Sequence, residues 1–86
     1  MEEQLFQAKQ MTLYEFNKLD ITSQRRAVNE FGTFLESYRD DKERCSLYAI
    51  DMFFVEMIYH PINKSMKEIR AFKHGHRLDR YVNLSI

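Results

Sequence analysis

The chain has few of the residues from which small proteins build covalent or cofactor sites. It contains one cysteine, one proline, two glycines and no tryptophan among 86 residues. A single cysteine excludes an intrachain disulfide framework and the paired-cysteine metal motifs. No glycine-rich phosphate-binding loop is present. Because no secretory signal pattern is visible either, we expect a reducing, cytoplasmic setting.

Net charge and long apolar runs are also missing. Thirteen Lys and Arg balance thirteen Asp and Glu, and no apolar run reaches the roughly 18 residues of a membrane-spanning helix. The densest apolar block is Leu47–Tyr59, interrupted only by Asp51 and Glu56. With 44% hydrophobic and 14% aromatic residues, the composition excludes a disordered chain and predicts one small domain with this block at its core.

Helical spacing of apolar residues predicts two short helices near the N-terminus. Thr12 and Glu15 have the spacing of a capping box. Asp20–Ser23 offers a second helix start, and Gly32 a stop. The expected helices cover residues 13–19 and 23–31. Residues 1–10 are expected to be an N-terminal extension, so the domain would occupy residues 11–86.

Beyond Gly32, aromatic and β-branched residues predict strands separated by polar turns. The last strand is Met66–Phe72, which alternates, and Leu78, Tyr81 and Val82 have the spacing of a short closing helix. The expected class is therefore α+β, with two short N-terminal helices, a four-stranded antiparallel meander sheet and a short C-terminal helix. The helices would cover one face of the sheet and leave the other partly open to solvent.

The segment 43–60 has two interpretations. If Asp51 and Met52 form a tight turn, Arg44–Ile50 and Phe53–His60 make a hairpin. Since methionine adopts a positive φ poorly, the alternative is one helix over the whole segment, ended by the proline that follows it. Aromatic and β-branched residues favour the hairpin.

Positive charge is concentrated in the second half of the chain. Residues 1–43 hold six cationic and nine anionic side chains, whereas residues 44–86 hold seven and four. A basic stretch with aromatic neighbours is typical of nucleic-acid interfaces, although a solvated sheet face is the simpler interpretation. The candidate nucleic-acid-binding residues are Lys64, Lys67, Arg70, Lys73, Arg77 and Arg80.

Four further side chains could carry chemistry. His74 and His76 would bind a metal only if other ligands converged on them, so we expect no metal and no cofactor. A buried Glu56 would be a perturbed acid or base, but cross-strand pairing with Lys73 on the open face is the favoured interpretation. Cys45 would be a reactive thiolate or, more simply, a small buried residue.

The chain from Met11 resembles a group of short bacterial α+β proteins, of uncharacterised activity, that start Met-Thr-Leu-x-Glu-Phe. The group usually has glycine after the aspartate of the central turn, where this chain has Met52. The resemblance implies the α+β fold and a natural start at Met11, but no activity. The matching residues are Met11-Thr12-Leu13-Tyr14-Glu15-Phe16, Tyr48-x-x-Asp51, Phe53-x-Val55-Glu56, Tyr59-His60 and Ile69-x-x-Phe72.

The C-terminal third is similar to the closing strand and tail of RelE/ParE-type toxins, through Ile69-Arg70-x-Phe72-x-His74-x-His76-Arg77-x-Asp79-x-Tyr81. This resemblance implies an RNA-cleaving site, with a base at the ribose 2′-OH and cations stabilising the phosphorane. The implied catalytic residues are Arg70, His76, Arg77 and Tyr81. Those toxins open with a strand and are strongly basic, whereas this chain opens with helices and is neutral.

The favoured function is a small non-enzymatic intracellular domain that acts through protein–protein contacts. A thin core and an aromatic-rich sheet favour self-association as a symmetric homodimer. The alternative is an RNA-binding protein or RelE/ParE-like ribonuclease toxin that uses the basic face over residues 64–81.

Overall fold

The computed structural model describes residues 10–73, in which two helices precede a four-stranded antiparallel sheet. The strands lie side by side in chain order, which confirms the α+β class and the meander. The closing helix over 78–82 and residues 1–9 of the extension lie outside the described residues. The elements are α1 (Leu13–Asn17), α2 (Ile21–Phe31), β1 (Thr33–Arg39), β2 (Arg44–Ile50), β3 (Phe53–Tyr59) and β4 (Met66–Phe72).

Side chains cap the start of both helices. The Thr12 hydroxyl accepts a hydrogen bond from the Glu15 N–H at 3.1 Å, and the Glu15 carboxylate accepts one from the Thr12 N–H at 3.0 Å. This confirms the predicted capping box. The Asp20 carboxylate accepts from the Ser23 N–H at 2.8 Å. Because Asp20 is the cap, α2 starts at Ile21, two residues earlier than predicted.

Gly32 joins α2 to the sheet. Its N–H donates to the Val28 carbonyl at 2.9 Å, and its backbone is extended, with φ −82° and ψ 145°. A Cβ on this residue would lie 2.6 Å from the Val28 carbonyl oxygen. Glycine is needed here because the strand leaves the helix at close range, rather than because the backbone is left-handed.

The central hairpin is confirmed, and the single helix over 43–60 is wrong. Ile50 pairs with Phe53, which leaves a two-residue turn of Asp51 and Met52. The positive φ, 49°, falls on Asp51, so Met52 is spared the conformation that methionine adopts poorly. Aspartate tolerates the left-handed region better than most residues. The Asp51 carboxylate also accepts a hydrogen bond from the Met11 N–H at 2.6 Å.

The helices pack on one face of the sheet, here called the helix face. The two aromatic rings at its centre, Phe16 of α1 and Phe53 of β3, lie 5.5 Å apart between centroids and are both buried. A helix face with fully buried rings at its centre supplies most of the hydrophobic stabilisation. The core of this face consists of Phe16, Ala27, Val28, Ile50, Phe53, Val55 and Met57.

The opposite face, here called the far face, has a smaller core. Cys45, Leu47 and Ile58 are buried there, with Tyr38, Phe54 and Phe72 packed against them. The far face is thus closed at its centre, and its exposed side chains lie toward the margins.

Candidate functional site

A pocket of about 350 Å³ lies at one end of the sheet. It is formed where β1 ends, β2 starts and β3 ends, next to the turn that leads to β4. Its lining is basic and rich in hydroxyl groups, which are the features of an anion-binding site. The lining residues are Ser37, Tyr38, Arg39, Arg44, Cys45, Ser46, Tyr59 and Lys64; this set is called the basic pocket below.

Strand register brings the polar groups of the basic pocket together. Arg39 lies directly opposite Arg44, which lies opposite Tyr59 on its other side. Ser37 lies opposite Ser46 in the neighbouring row. Directly opposed residues of antiparallel strands project from the same face. Ser46 is opposite Met57, a core residue of the helix face, so both rows lie on that face.

The carboxylate of the nearest turn, that of Asp40, is engaged in hydrogen bonds. The Asp40 carboxylate accepts hydrogen bonds from the Lys42 N–H at 2.8 Å and the Glu43 N–H at 3.0 Å, and also from the Tyr38 hydroxyl at 3.1 Å. Asp40 is therefore engaged in closing the β1–β2 turn. Among residues 10–73, Arg39, Arg44 and Lys64 form no ion pair with a carboxylate.

Lys64 reaches the basic pocket from the β3–β4 turn. Its backbone has a positive φ of 64°, and its N–H donates to the His60 carbonyl at 3.0 Å. Asn63 stabilises the turn because its side-chain oxygen accepts from the Ser65 N–H at 2.9 Å. The turn thus places a lysine in the lining of the basic pocket.

Tyr59 contributes a phenol side chain to the lining of the basic pocket. Burial raises the pKa of the Tyr59 phenol, Tyr48 raises it further, and Arg25 partly offsets both. The phenol is therefore protonated at neutral pH and available as a donor. Its present contact is the thioether sulfur of Met57 at 3.9 Å, which is a weak acceptor.

The described residues of the predicted nucleic-acid surface do not form a single patch. Lys64 lines the basic pocket, whereas Lys67 lies 3.9 Å from a carboxylate oxygen of Glu43. Arg70 lies on the far face and binds Glu68, with 2.6 Å between nitrogen and oxygen. Lys73 lines a groove of about 190 Å³ at the other end of the sheet. His74, His76, Arg77, Arg80 and Tyr81 lie outside the described residues.

Glu56 lies in the far-face core and not on an open face. Its side chain is fully buried, and Arg70 of β4 lies directly opposite. The expected diagonal partner, Lys73, is wrong because the register puts Glu68 and Phe72 two residues either side of Arg70. The open-face interpretation of Glu56 is wrong because Leu47, directly opposite it on β2, is itself buried with Cys45 and Ile58 in the far-face core.

Cysteine and metal chemistry find little support in this part of the chain. Cys45 is buried, as expected for a small apolar residue. Within residues 10–73, no three metal-ligating side chains converge. Neither helix in that range is long and apolar enough to cross a membrane.

A second surface feature is the apolar edge of the sheet, defined here as Phe31, Phe34 and Leu35. These side chains are 59%, 55% and 43% exposed. They lie at the end of α2 and in the first half of β1, which is an edge strand. Exposed apolar groups that cluster on an edge strand are typical of contact surfaces.

Sequence reasoning did not find Arg39 and Arg44 as site residues. The signal was present, because both flank a recognisable polar turn and become opposed once the β1–β2 register is known.

Comparison of the chain with protein-family models, curated proteins and solved structures gives no match.

Proposed function

We propose that this domain acts through protein–protein contacts and that its first partner is a second copy of itself, docked along β1. The observation that carries the proposal is the apolar edge, where Phe34 and Leu35 of the edge strand β1 and Phe31 at the end of α2 are exposed to solvent. Edge pairing would satisfy the outward backbone groups of β1 and bury these side chains in one step.

The difference between the two sheet edges supports β1 over β4. On β4, Lys67, Glu68 and Arg70 carry charge, and Arg70 and Glu68 are paired. Charged side chains are a common device against edge-to-edge pairing. The first half of β1 has no charged residue before Glu36. A two-fold axis perpendicular to β1 would pair the two copies of the strand antiparallel and bring two apolar edges together, as a symmetric dimer requires.

The size of the apolar edge predicts a weak dimer. Three half-exposed side chains offer about 300 Å² of apolar surface per copy, given the 150–250 Å² typical of an aromatic residue. A standard stable interface buries roughly 800 Å² per partner. We therefore expect association in the micromolar to millimolar range, driven by apolar burial and insensitive to salt.

Sedimentation velocity over a wide protein concentration range tests this. The wild type should move from monomer to dimer as concentration rises, and Phe34→Lys should raise the dissociation constant at least about tenfold, since a buried charge would have no partner. Ile62→Lys is the matched control, because Ile62 is 83% exposed in the β3–β4 turn, away from the apolar edge. Leu35→Lys provides a second variant, which leaves the ring contact between Phe34 and Tyr48 intact.

A wild type that stays monomeric to about millimolar concentration would contradict the proposal, as would equal weakening by the Ile62 control. Circular dichroism of each variant shows whether the sheet is retained.

The alternative function is RNA binding or cleavage by the face over residues 64–81. Of its implied catalytic residues, Arg70 is described and is engaged by Glu68, while His76, Arg77 and Tyr81 lie outside the described residues. Gel shift and cleavage assays with labelled RNA, wild type against Arg70→Ala, test this alternative. The apolar edge gives self-association the stronger support.

A further inference from the structure

We infer that the basic pocket binds the terminal phosphate of a small phosphorylated molecule. The site shares no side chain with the apolar edge, but it takes Ser37 and Arg39 from the later part of β1 and Lys64 from the face over residues 64–81. Its charge comes from Arg39 and Arg44, which flank the β1–β2 turn, and from Lys64 in the β3–β4 turn. The volume of about 350 Å³ falls within the range of small-molecule pockets.

The opposed arginines are the strongest sign of a ligand. Like charges placed directly opposite each other on neighbouring strands destabilise a sheet. Arg39 and Arg44 are such a pair, and within residues 10–73 no carboxylate forms an ion pair with either. Elsewhere on the sheet the chain does pair its cations, as with Lys67 and Glu43. An anion held between the two arginines would remove the repulsion.

The surrounding groups specify the chemistry of that anion. Arginine binds phosphate oxygens through two parallel N–H donors, and lysine adds a point charge. Ser37, Ser46 and Tyr59 place neutral O–H donors in the same two rows. A phosphate monoester is largely a dianion at neutral pH. Three cations match its charge better than that of a phosphodiester, which carries one negative charge.

Thermal unfolding at constant ionic strength tests the inference with defined probes. Inorganic phosphate and adenosine monophosphate should each raise the melting temperature by roughly 5 °C or more once well above their dissociation constants. Adenosine, which lacks the phosphate, and sodium chloride at the same ionic strength should not. A single-stranded oligonucleotide, which carries phosphodiesters, tests whether the protein binds that form of phosphate instead.

Arg44→Gln separates a ligand site from a structural role. Removing one of two opposed charges should leave the melting temperature without ligand unchanged or higher, while the phosphate-dependent rise is lost and affinity falls at least about tenfold. Lys42→Gln is the matched control, because it removes a cation from the same hairpin turn but outside the pocket lining. It should keep the full response to phosphate.

Three results would overturn the inference. The first is a shift with chloride equal to that with phosphate, and the second is a response to the oligonucleotide without one to adenosine monophosphate. The third is an equal loss of response in Arg44→Gln and Lys42→Gln. Amide chemical-shift changes confined to Ser37, Ser46 and Tyr59 would support it independently.

Discussion

Asp51 combines a positive φ, a place in the β2–β3 turn and a hydrogen bond to the N-terminal segment. Different replacements of Asp51 should therefore lower the free energy of unfolding by different amounts. The residue has a φ of 49°, closes the β2–β3 hairpin, and accepts a hydrogen bond from the Met11 N–H at 2.6 Å. The left-handed backbone costs a residue such as alanine about 1 kcal/mol or more. The exposed hydrogen bond to a charged acceptor contributes about 1 kcal/mol.

Three substitutions at Asp51 separate these contributions. Asp51→Ala loses the hydrogen bond and gains the backbone strain, so the free energy of unfolding should fall by about 2 kcal/mol. Asp51→Gly also loses the hydrogen bond but is free of strain, and should lose about 1 kcal/mol. Asp51→Asn keeps both an acceptor and the tolerance of positive φ, and should stay within about 0.5 kcal/mol of the wild type.

Thermal unfolding followed by circular dichroism resolves this order, because 1 kcal/mol corresponds to about 4–8 °C in a domain of this size. The alanine variant should therefore melt roughly 10 °C below the wild type. Equal melting temperatures for the alanine and asparagine variants would refute the turn geometry. A glycine variant less stable than the alanine variant would refute the assignment of positive φ to this position.

Three further expectations follow from the core, a cap and the thiol. Phe16→Ala should cost about 3–5 kcal/mol in chemical denaturation, against under about 0.5 for Tyr14→Ala, because only Phe16 is fully buried; similar losses would contradict the packing of α1 on the sheet. The hydrogen bond from the Ser23 N–H lowers the Asp20 pKa below its ordinary 3.8, so the cap stabilises α2 above that pH and is lost as pH falls through the lowered pKa. Helical dichroism in an acid titration should show this loss, and Asp20→Asn should remove the part of the pH dependence that comes from α2. Buried Cys45 should react with a thiol reagent much more slowly in the native protein than in denaturant, and equal rates would place the thiol at the surface.

Local signals in the sequence predicted most of the secondary structure. Thr12 and Glu15 specify a helix start by short-range hydrogen bonds, which depend only on spacing. β2 and β4 begin and end where predicted, at Arg44–Ile50 and Met66–Phe72, because residues typical of turns mark the ends of each strand in the sequence. The start of α2 was placed two residues late because Asp20–Ser23 contains several competent caps, and the structure uses Asp20, whose side chain accepts from the Ser23 N–H.

Features that depend on register could not be obtained in the same way. The pairing of strands in the assembled sheet decides which turn residue has a positive φ. It also decides that Arg70, and not Lys73, lies opposite Glu56. The basic pocket is a third case. Arg39 and Arg44 are five positions apart in sequence and directly opposite in the sheet, so their importance appears once the hairpin is built.

The most direct test of the proposed self-association is amide hydrogen exchange, measured residue by residue at low and high protein concentration. Pairing along β1 should slow exchange of the outward-facing amides in Thr33–Arg39 as concentration rises, because they gain hydrogen-bond partners. The amides of β4 should exchange at the same rate throughout. Exchange in β1 that does not depend on concentration, or protection that develops on β4 instead, would contradict the account.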